Sequence, residues 1–238
     1  MPIFMFKKFI ETLEENLKKK LPGISAHKKM SPSNRNSQLK FLNKDVNTVD
    51  SGILILIFPI NNLPHTVFIK RPEYNGPHSG QISFPGGKIE NIDNNITETA
   101  LREAQEEIGI KPNDVKIIGQ LSKLYIPVSN INVFPKVGYI SYKPNFIPDK
   151  QEVTEIIPFS IKELSNKNII DTEQVSLQGR IIDAPFYNVN GHHVWGATAM
   201  IINEFLEIVD RRWKNEMYLL IVTVLQWAFT VSQLMFTV

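Results

Sequence analysis

Apolar residues in the first 25 positions recur at helical spacing. Phe6, Ile10, Leu13, Leu17 and Leu21 share one face, and Pro22-Gly23 closes the run. This predicts an amphipathic N-terminal helix whose Lys18-Lys19-Lys20 are cations suited to a helix C-terminus. Ser25 to Asp50 is polar and reads as loop. Gly52 to Ile60 is then continuously apolar, the pattern of a strand buried on both faces. Beyond Asn61-Asn62-Leu63-Pro64, Thr66 to Lys70 reads as its antiparallel neighbour. Val115–Leu121 and Phe134–Ser141 read as strands joined by a loop, Leu124–Val133, and another strand opens at Glu152-Val153 and runs to Phe159. Gln174–Ile182, Pro185–Tyr187 and Gly191–Trp195 have hairpin character. Helical spacing returns in Gly196–Val209, where Met200, Ile201, Phe205 and Ile208 share a face.

A helix of another kind lies between these strands, within Gly86–Ile110. Leu101, Ala104 and Ile108 form its apolar stripe, Asn95 and Glu98 make an Asn-led capping box, and Gly109 supplies the stop. Glu103, Glu106 and Glu107 crowd the other face. Like charges at these spacings oppose a helix by roughly 0.2–0.5 kcal/mol per pair, and a hard divalent cation relieves that repulsion. Pro85-Gly86-Gly87 ends the preceding apolar run, where a backbone carbonyl has room to join the carboxylates. A cation held by few protein groups reaches for substrate phosphates, so the chemistry suggested is attack of water on phosphorus. Gly87-Lys88 is not a Walker loop, because Ile82 and Ile89 stand where that motif needs Gly and Ser or Thr.

The stretch resembles the box of the Nudix hydrolase family: Gly, five residues, Glu, seven residues, then Arg-Glu-apolar-x-Glu-Glu-x-Gly-apolar. Arg102, Glu103, Ala104, Glu106, Glu107, Gly109 and Ile110 match its second half. In the first half Asn94 stands in place of Glu, Asp93 lies beside it, and the loop from Gly87 is one residue longer. That loop resembles the coenzyme A diphosphatase branch, as does Arg71–Gly87, where Arg71, Gly80 and Phe84–Gly87 match a signature. Pro72 replaces its serine and Gly76 its second arginine. Ala26–Arg35, Leu124–Val133 and His193-Val194-Trp195-Gly196-Ala197-Thr198-Ala199 are similar to shorter segments of that branch.

The resemblance implies an α/β fold, a Nudix-type α/β/α sandwich with a mixed sheet. Glu103, Glu106 and Glu107, with the Gly87 carbonyl, would hold Mg²⁺ or Mn²⁺, and Arg102 would orient them. Arg71, His78 and Lys88 are the candidate substrate contacts, Tyr74 lies in the same loop, and Glu152 is a candidate distal ligand or base. Coenzyme A or an acyl derivative would yield 3′,5′-ADP and 4′-phosphopantetheine. The alternatives are a Nudix hydrolase of ADP-ribose or a dinucleotide, which Gly76 favours, and a non-catalytic nucleotide-binding module. His192 and His193 read as structural, because adjacent strand residues face opposite ways.

Composition narrows the classes. At 238 residues the chain holds one sizeable domain plus an appendage, and a net charge of +2 makes no case for a nucleic-acid partner. The absence of cysteine excludes disulfides and thiolate chemistry. Met1–Phe6 lacks the basic start of a secretory signal, so the expected compartment is the cytoplasm. The expected division is 1–25 (helix), 26–210 (hydrolase domain) and 211–238 (tail). Met217–Val238 carries no charge and follows Arg211-Arg212-Trp213-Lys214. As a helix it would span roughly 33 Å. It reads either as a membrane anchor or as an apolar C-terminal helix docked on the domain or on a second subunit of a homodimer.

Overall fold

The continuous apolar run forms strand β1 (Val49–Ile60), and its alternation places consecutive side chains on opposite faces. Leu54, Leu56 and Phe58 join one buried cluster, and Ile55 and Ile57 join another. A strand covered on both sides requires helices above and below, and the computed structural model, which describes residues 3–33, 48–75, 78–177 and 179–210, supplies them. Helix α1 (Ile3–Leu17), the single turn α2 (Ile24–His27) and, late in the chain, a helix over 196–210 lie apart from the helix Ile96–Ile108. In chain order Ile96–Ile108 is α3, the short Ile161–Leu164 is α4 and 196–210 is α5. Ala100, Ala104 and Ile108 of α3 pack on the Leu54 side. Phe6, Phe9, Ile10, Leu13 and Leu17 of α1, with Met200, Ile201 and Phe205 of α5, pack on the Ile55 side.

The sheet between them is mixed. β1 runs antiparallel to β2 (Leu63–Lys70) and β4 (Gly86–Lys88) and parallel to β7 (Ile131–Tyr139). β2 also pairs with β3 (Ile82–Ser83) and β8 (Glu155–Ser160), and β7 with β5 (Lys116–Gln120) and β6 (Leu124–Ile126). Asn61 and Asn62 both take positive φ, 50° and 61°, as a two-residue hairpin between β1 and β2 requires. A second, three-stranded sheet holds β9 (Ile170–Leu177), β10 (Arg180–Val189) and β11 (His192–Trp195) in antiparallel order.

The pattern missed in several places. α1 ends at Leu17 rather than at Pro22-Gly23. Leu124–Val133 is not a plain loop, since β6 and the start of β7 pair within it, Leu124 opposite Val133. Glu152 lies in the turn before β8, not in the strand. Gly86–Lys88 forms a strand although glycine has poor strand propensity, because it is paired to Ser51–Ile53 of β1. The readings of 211–238 as an anchor or a docked helix lie outside the described residues. Among the described residues no helix is long and apolar enough to cross a membrane.

Candidate metal and substrate site

Local chemistry fixes α3 in place. Asn95 caps it by accepting from the Thr97 and Glu98 N–H groups, and Glu98 reaches back to Asn94 N–H at 3.0 Å. Gly109 closes the helix in the left-handed region at φ 73°. The last carbonyls then collect a following segment: Ile147 N–H donates to Ile108 O and Asp149 N–H to Glu107 O. That segment carries Glu152, whose own N–H donates to Asp149 O. Through this tie Glu152 meets the helix acids, and carboxylate oxygens of Glu103, Glu107 and Glu152 all lie within 4.8 Å of one another.

These three carboxylates differ in setting. Glu107 is fully buried, Glu103 is 9% exposed and Glu152 is exposed. Glu107 accepts from the Gly86 N–H at 2.8 Å and from Arg71 Nη2 at 3.3 Å. Burial still outweighs these partners and pushes its carboxyl up to about 8, with the Glu103 and Glu152 charges adding to the rise. Burial likewise raises Glu103, with Arg102 pulling the other way. Glu106 is outside this group: its side chain is half-exposed and accepts from Arg102 Nη1 at 2.8 Å.

Arg102 braces the arrangement. Its Nε and Nη2 grip Asp93 at 2.9 and 3.0 Å, its Nη2 also donates to Lys88 O, and its Nη1 lies 3.1 Å from Glu103 Oε1. The Arg102 hydrogen bonds hold the Asp93 carboxyl down at about 2. Asp93, marked in the sequence only as the acidic residue of the lengthened loop, is therefore the anchor of the loop leading into α3.

Two glycines separate the acids from a cavity. Gly86 has φ 152°, and a Cβ there would sit 2.4 Å from Gly52 O. At Gly87 a Cβ would fall 2.2 Å from Glu103 Oε1, so the absent side chain makes room for that carboxylate. The Gly87 carbonyl accepts from Ser51 Oγ at 2.7 Å. Beyond the strand opens a cavity of about 660 Å³. Arg71, Tyr74, His78 and Lys88 all line it, and Arg71 also touches the acid cluster through Glu107. His78 is held by Gln81, Nδ1 to Oε1 at 3.0 Å.

The remaining walls are largely apolar. Ile53 and Phe84 meet Ile126–Ser129 from one side and Trp195–Thr198 from another. The hydroxyls of Ser83 and Ser129, both wall residues, are buried and find no partner among the described residues. Ser51 carried no signal in the sequence, and Pro32 and Ser83 lie in segments singled out only by resemblance. Trp195 and Thr198 lie in a segment singled out only by resemblance. His192 and His193 stay away from this site, facing Glu155 at 3.3 Å and Glu173 at 2.7 Å.

A three-layer sandwich with an acid-faced helix against a glycine strand defines a class, and comparison names it. Residues 52–175, just over half of the chain, match the NUDIX domain. The chain belongs to the Nudix family and is a hydrolase acting on phosphorus anhydrides. The chain is 38% identical over 138 residues to a protein of Pectobacterium atrosepticum called Nudix hydrolase NudL, itself uncharacterized; the match covers 56% of this chain and 70% of the relative. A Yersinia enterocolitica protein of the same name is 31% identical over 150 residues, covering 62% and 75%. Among solved structures, a MutT/nudix family protein from Enterococcus faecalis aligns with TM-score 0.47 at 13% identity, covering 79% of this chain and 73% of that one. The NUDIX domain of Shewanella oneidensis NrtR complexed with ADP ribose aligns with TM-score 0.42 at 14% identity, covering 55% and 85%.

Proposed function

We propose that the enzyme hydrolyses the diphosphate linkage of coenzyme A or an acyl derivative, giving 3′,5′-ADP and (acyl-)4′-phosphopantetheine. One observation carries the substrate reading: the cavity beside Gly86-Gly87 has Arg71, His78 and Lys88 in its lining, apolar walls beyond them, and no carboxylate among the described residues that line it. Such a space suits a phosphorylated group with an uncharged chain, and its volume lies in the range of small-molecule sites. The Arg71–Gly87 resemblance to the coenzyme A branch agrees with it.

The donor set fits a hard divalent cation, Mg²⁺ or Mn²⁺, since three carboxylates converge with no nitrogen or sulfur among them. Glu103 and Glu107 would hold it, Glu152 would complete the set, and Glu106 and the Gly87 carbonyl flank it. Bound there, a divalent cation polarises phosphoryl oxygens and lowers the pKa of water. The protein's own groups do the rest. Arg71 spans acids and cavity and orients the diphosphate, Lys88 and His78 balance its charge, and Arg102 fixes Glu103 through Asp93. Water adds to one phosphorus, the bridging P–O bond breaks, and the proton released leaves with the solvent-exposed side of the site, where Glu152 stands. Residues 26–210 form the hydrolase unit in this reading, with α1 packed on it.

A second reading, ADP-ribose or a dinucleotide as substrate, is favoured by Gly76 where the signature has arginine. That loss removes a bidentate phosphate contact. Incubating the protein with coenzyme A and Mg²⁺ and resolving the products by mass spectrometry separates the two. Equal amounts of 3′,5′-ADP and 4′-phosphopantetheine are expected. Intact coenzyme A under conditions where ADP-ribose is split would overturn the first reading in favour of the second.

A further inference from the structure

Three walls of the cavity come from separate parts of the chain: Pro32 after α2, Ile126–Ser129 at the end of β6, and Ala197, Thr198 and Ile201 on α5. All three trace back to one carboxylate. Glu204, fully buried, lies on α5 one turn beyond Ile201. Its Oε1 accepts from the Gly23 N–H at 3.0 Å, at the start of α2. Its Oε2 lies 2.8 Å from His27 Nε2, itself buried. The Ser122 N–H, just before β6, is shared by both oxygens at 3.3 Å. Asn203 Nδ2 to Ala26 O at 2.9 Å and Lys29 to Glu207 at 3.0 Å run along the same seam.

Burial works against the charge on Glu204, but the hydrogen bonds from His27, Ser122 and Gly23 together hold its carboxyl below the usual range. A buried charge satisfied from three segments fixes their relative positions, because removing it leaves those donors unpaired. His27 and Glu204 both lie outside the matched residues 52–175.

We propose that Glu204 is a positioning residue that sets the width of the cavity, and so decides which uncharged group beyond the diphosphate the enzyme accepts. The proposal rests on the reading that this cavity receives the substrate. It places a determinant of specificity behind the walls, on a residue that touches no phosphate and no metal-holding acid.

The test compares extended substrates with one that lacks the extension. Steady-state kcat and KM are measured for coenzyme A, for ADP-ribose and for adenosine diphosphate methyl ester, using wild type, Glu204→Ala and Glu204→Gln. The alanine variant should raise KM for coenzyme A about tenfold with kcat within about twofold, and leave the methyl ester within about twofold on both. Glu204→Gln keeps an oxygen for the Gly23 and Ser122 N–H groups and should restore the wild-type ratio. Should Glu204→Ala not fold, His27→Gln, which loosens the clasp from the α2 side without touching the cavity lining, should raise KM for coenzyme A and leave the methyl ester within about twofold. Equal losses on long and short substrates, no loss on either, or a glutamine variant no better than alanine would overturn the proposal. If the wild type cleaves ADP-ribose but not coenzyme A, the substrate reading fails by itself. The positioning claim is then decided by the ratio of ADP-ribose to methyl ester under the same criteria.

Discussion

Gly87→Ala isolates the acid cluster from the fold. The added Cβ would lie 2.2 Å from Glu103 Oε1, 2.3 Å from its Cδ and 2.6 Å from Oε2. Ordinary contact needs about 3.5 Å, so the carboxylate must recoil by about 1 Å or more. It can do so, being the far end of a flexible side chain, and Gly87 has no positive φ that alanine would strain. A displacement of about 1 Å at a reacting group costs on the order of 10²-fold in rate, or about 2.7 kcal/mol of transition-state stabilisation. Folding should lose under about 1 kcal/mol, a Tm change of about 2–4 °C for a chain of this size. Gly86→Ala is the control: its Cβ would meet backbone, 2.4 Å from Gly52 O and 2.6 Å from Ile53 Cα, at a φ that disfavours alanine. That variant should lose Tm as well as activity. The assay pairs kcat at saturating Mg²⁺ with thermal melting. A Gly87→Ala enzyme with kcat within about threefold of wild type, or whose loss is matched by a Gly86-like drop in Tm, would refute the reasoning.

Other outcomes follow from the same geometry. Glu107 keeps its proton up to about 8 in the folded metal-free protein, whereas the unfolded chain releases it near 4.5. Folded protein thus binds more protons in that window, and this group makes stability fall as pH rises from about 4.5 to about 8. Metal binding needs the proton gone, so the apparent Mg²⁺ affinity, read by calorimetry, should rise by up to about tenfold per pH unit to about pH 8 and then level. A flat profile between pH 6 and 8 would contradict it. Glu103→Gln should lower kcat by about a hundredfold or more, and Glu106→Gln, whose partner Arg102 keeps Asp93 and Glu103, by about tenfold; the reverse order would move the metal set toward Glu106. Asn95→Ala removes the cap of α3 and should cost about 1 kcal/mol in urea unfolding, with kcat changed less than about threefold.

How far the sequence carried depends on the range of each interaction. α3 was legible because its cap, stripe and stop are local, and β1 because nine apolar residues in a row cannot face water on either side. The acid face was visible, but its division was not. Glu107 turns inward to Gly86 and Arg71 while Glu106 turns outward to Arg102, and that follows from packing against β4, which periodicity cannot see. Glu152 was a candidate only through the family resemblance, and its place beside Glu103 depends on backbone bonds from Ile147 and Asp149 to the end of α3. The cavity was the least legible. Its walls come from Pro32, Ser51, Ser129 and Trp195, joined only by strand pairing and by the Glu204 clasp.

The substrate is the claim on which the account turns, and competition in one tube tests it without reference to separate preparations. Equimolar coenzyme A and ADP-ribose, each well below KM, are mixed with enzyme and Mg²⁺, and their decay is followed by mass spectrometry. The ratio of decay rates is then the ratio of kcat/KM values. The cavity with Arg71, His78 and Lys88 in its lining and an apolar interior predicts that coenzyme A disappears at least about tenfold faster, a difference of about 1.4 kcal/mol in transition-state binding. ADP-ribose disappearing tenfold faster would contradict it and make Gly76 the mark of a different specificity.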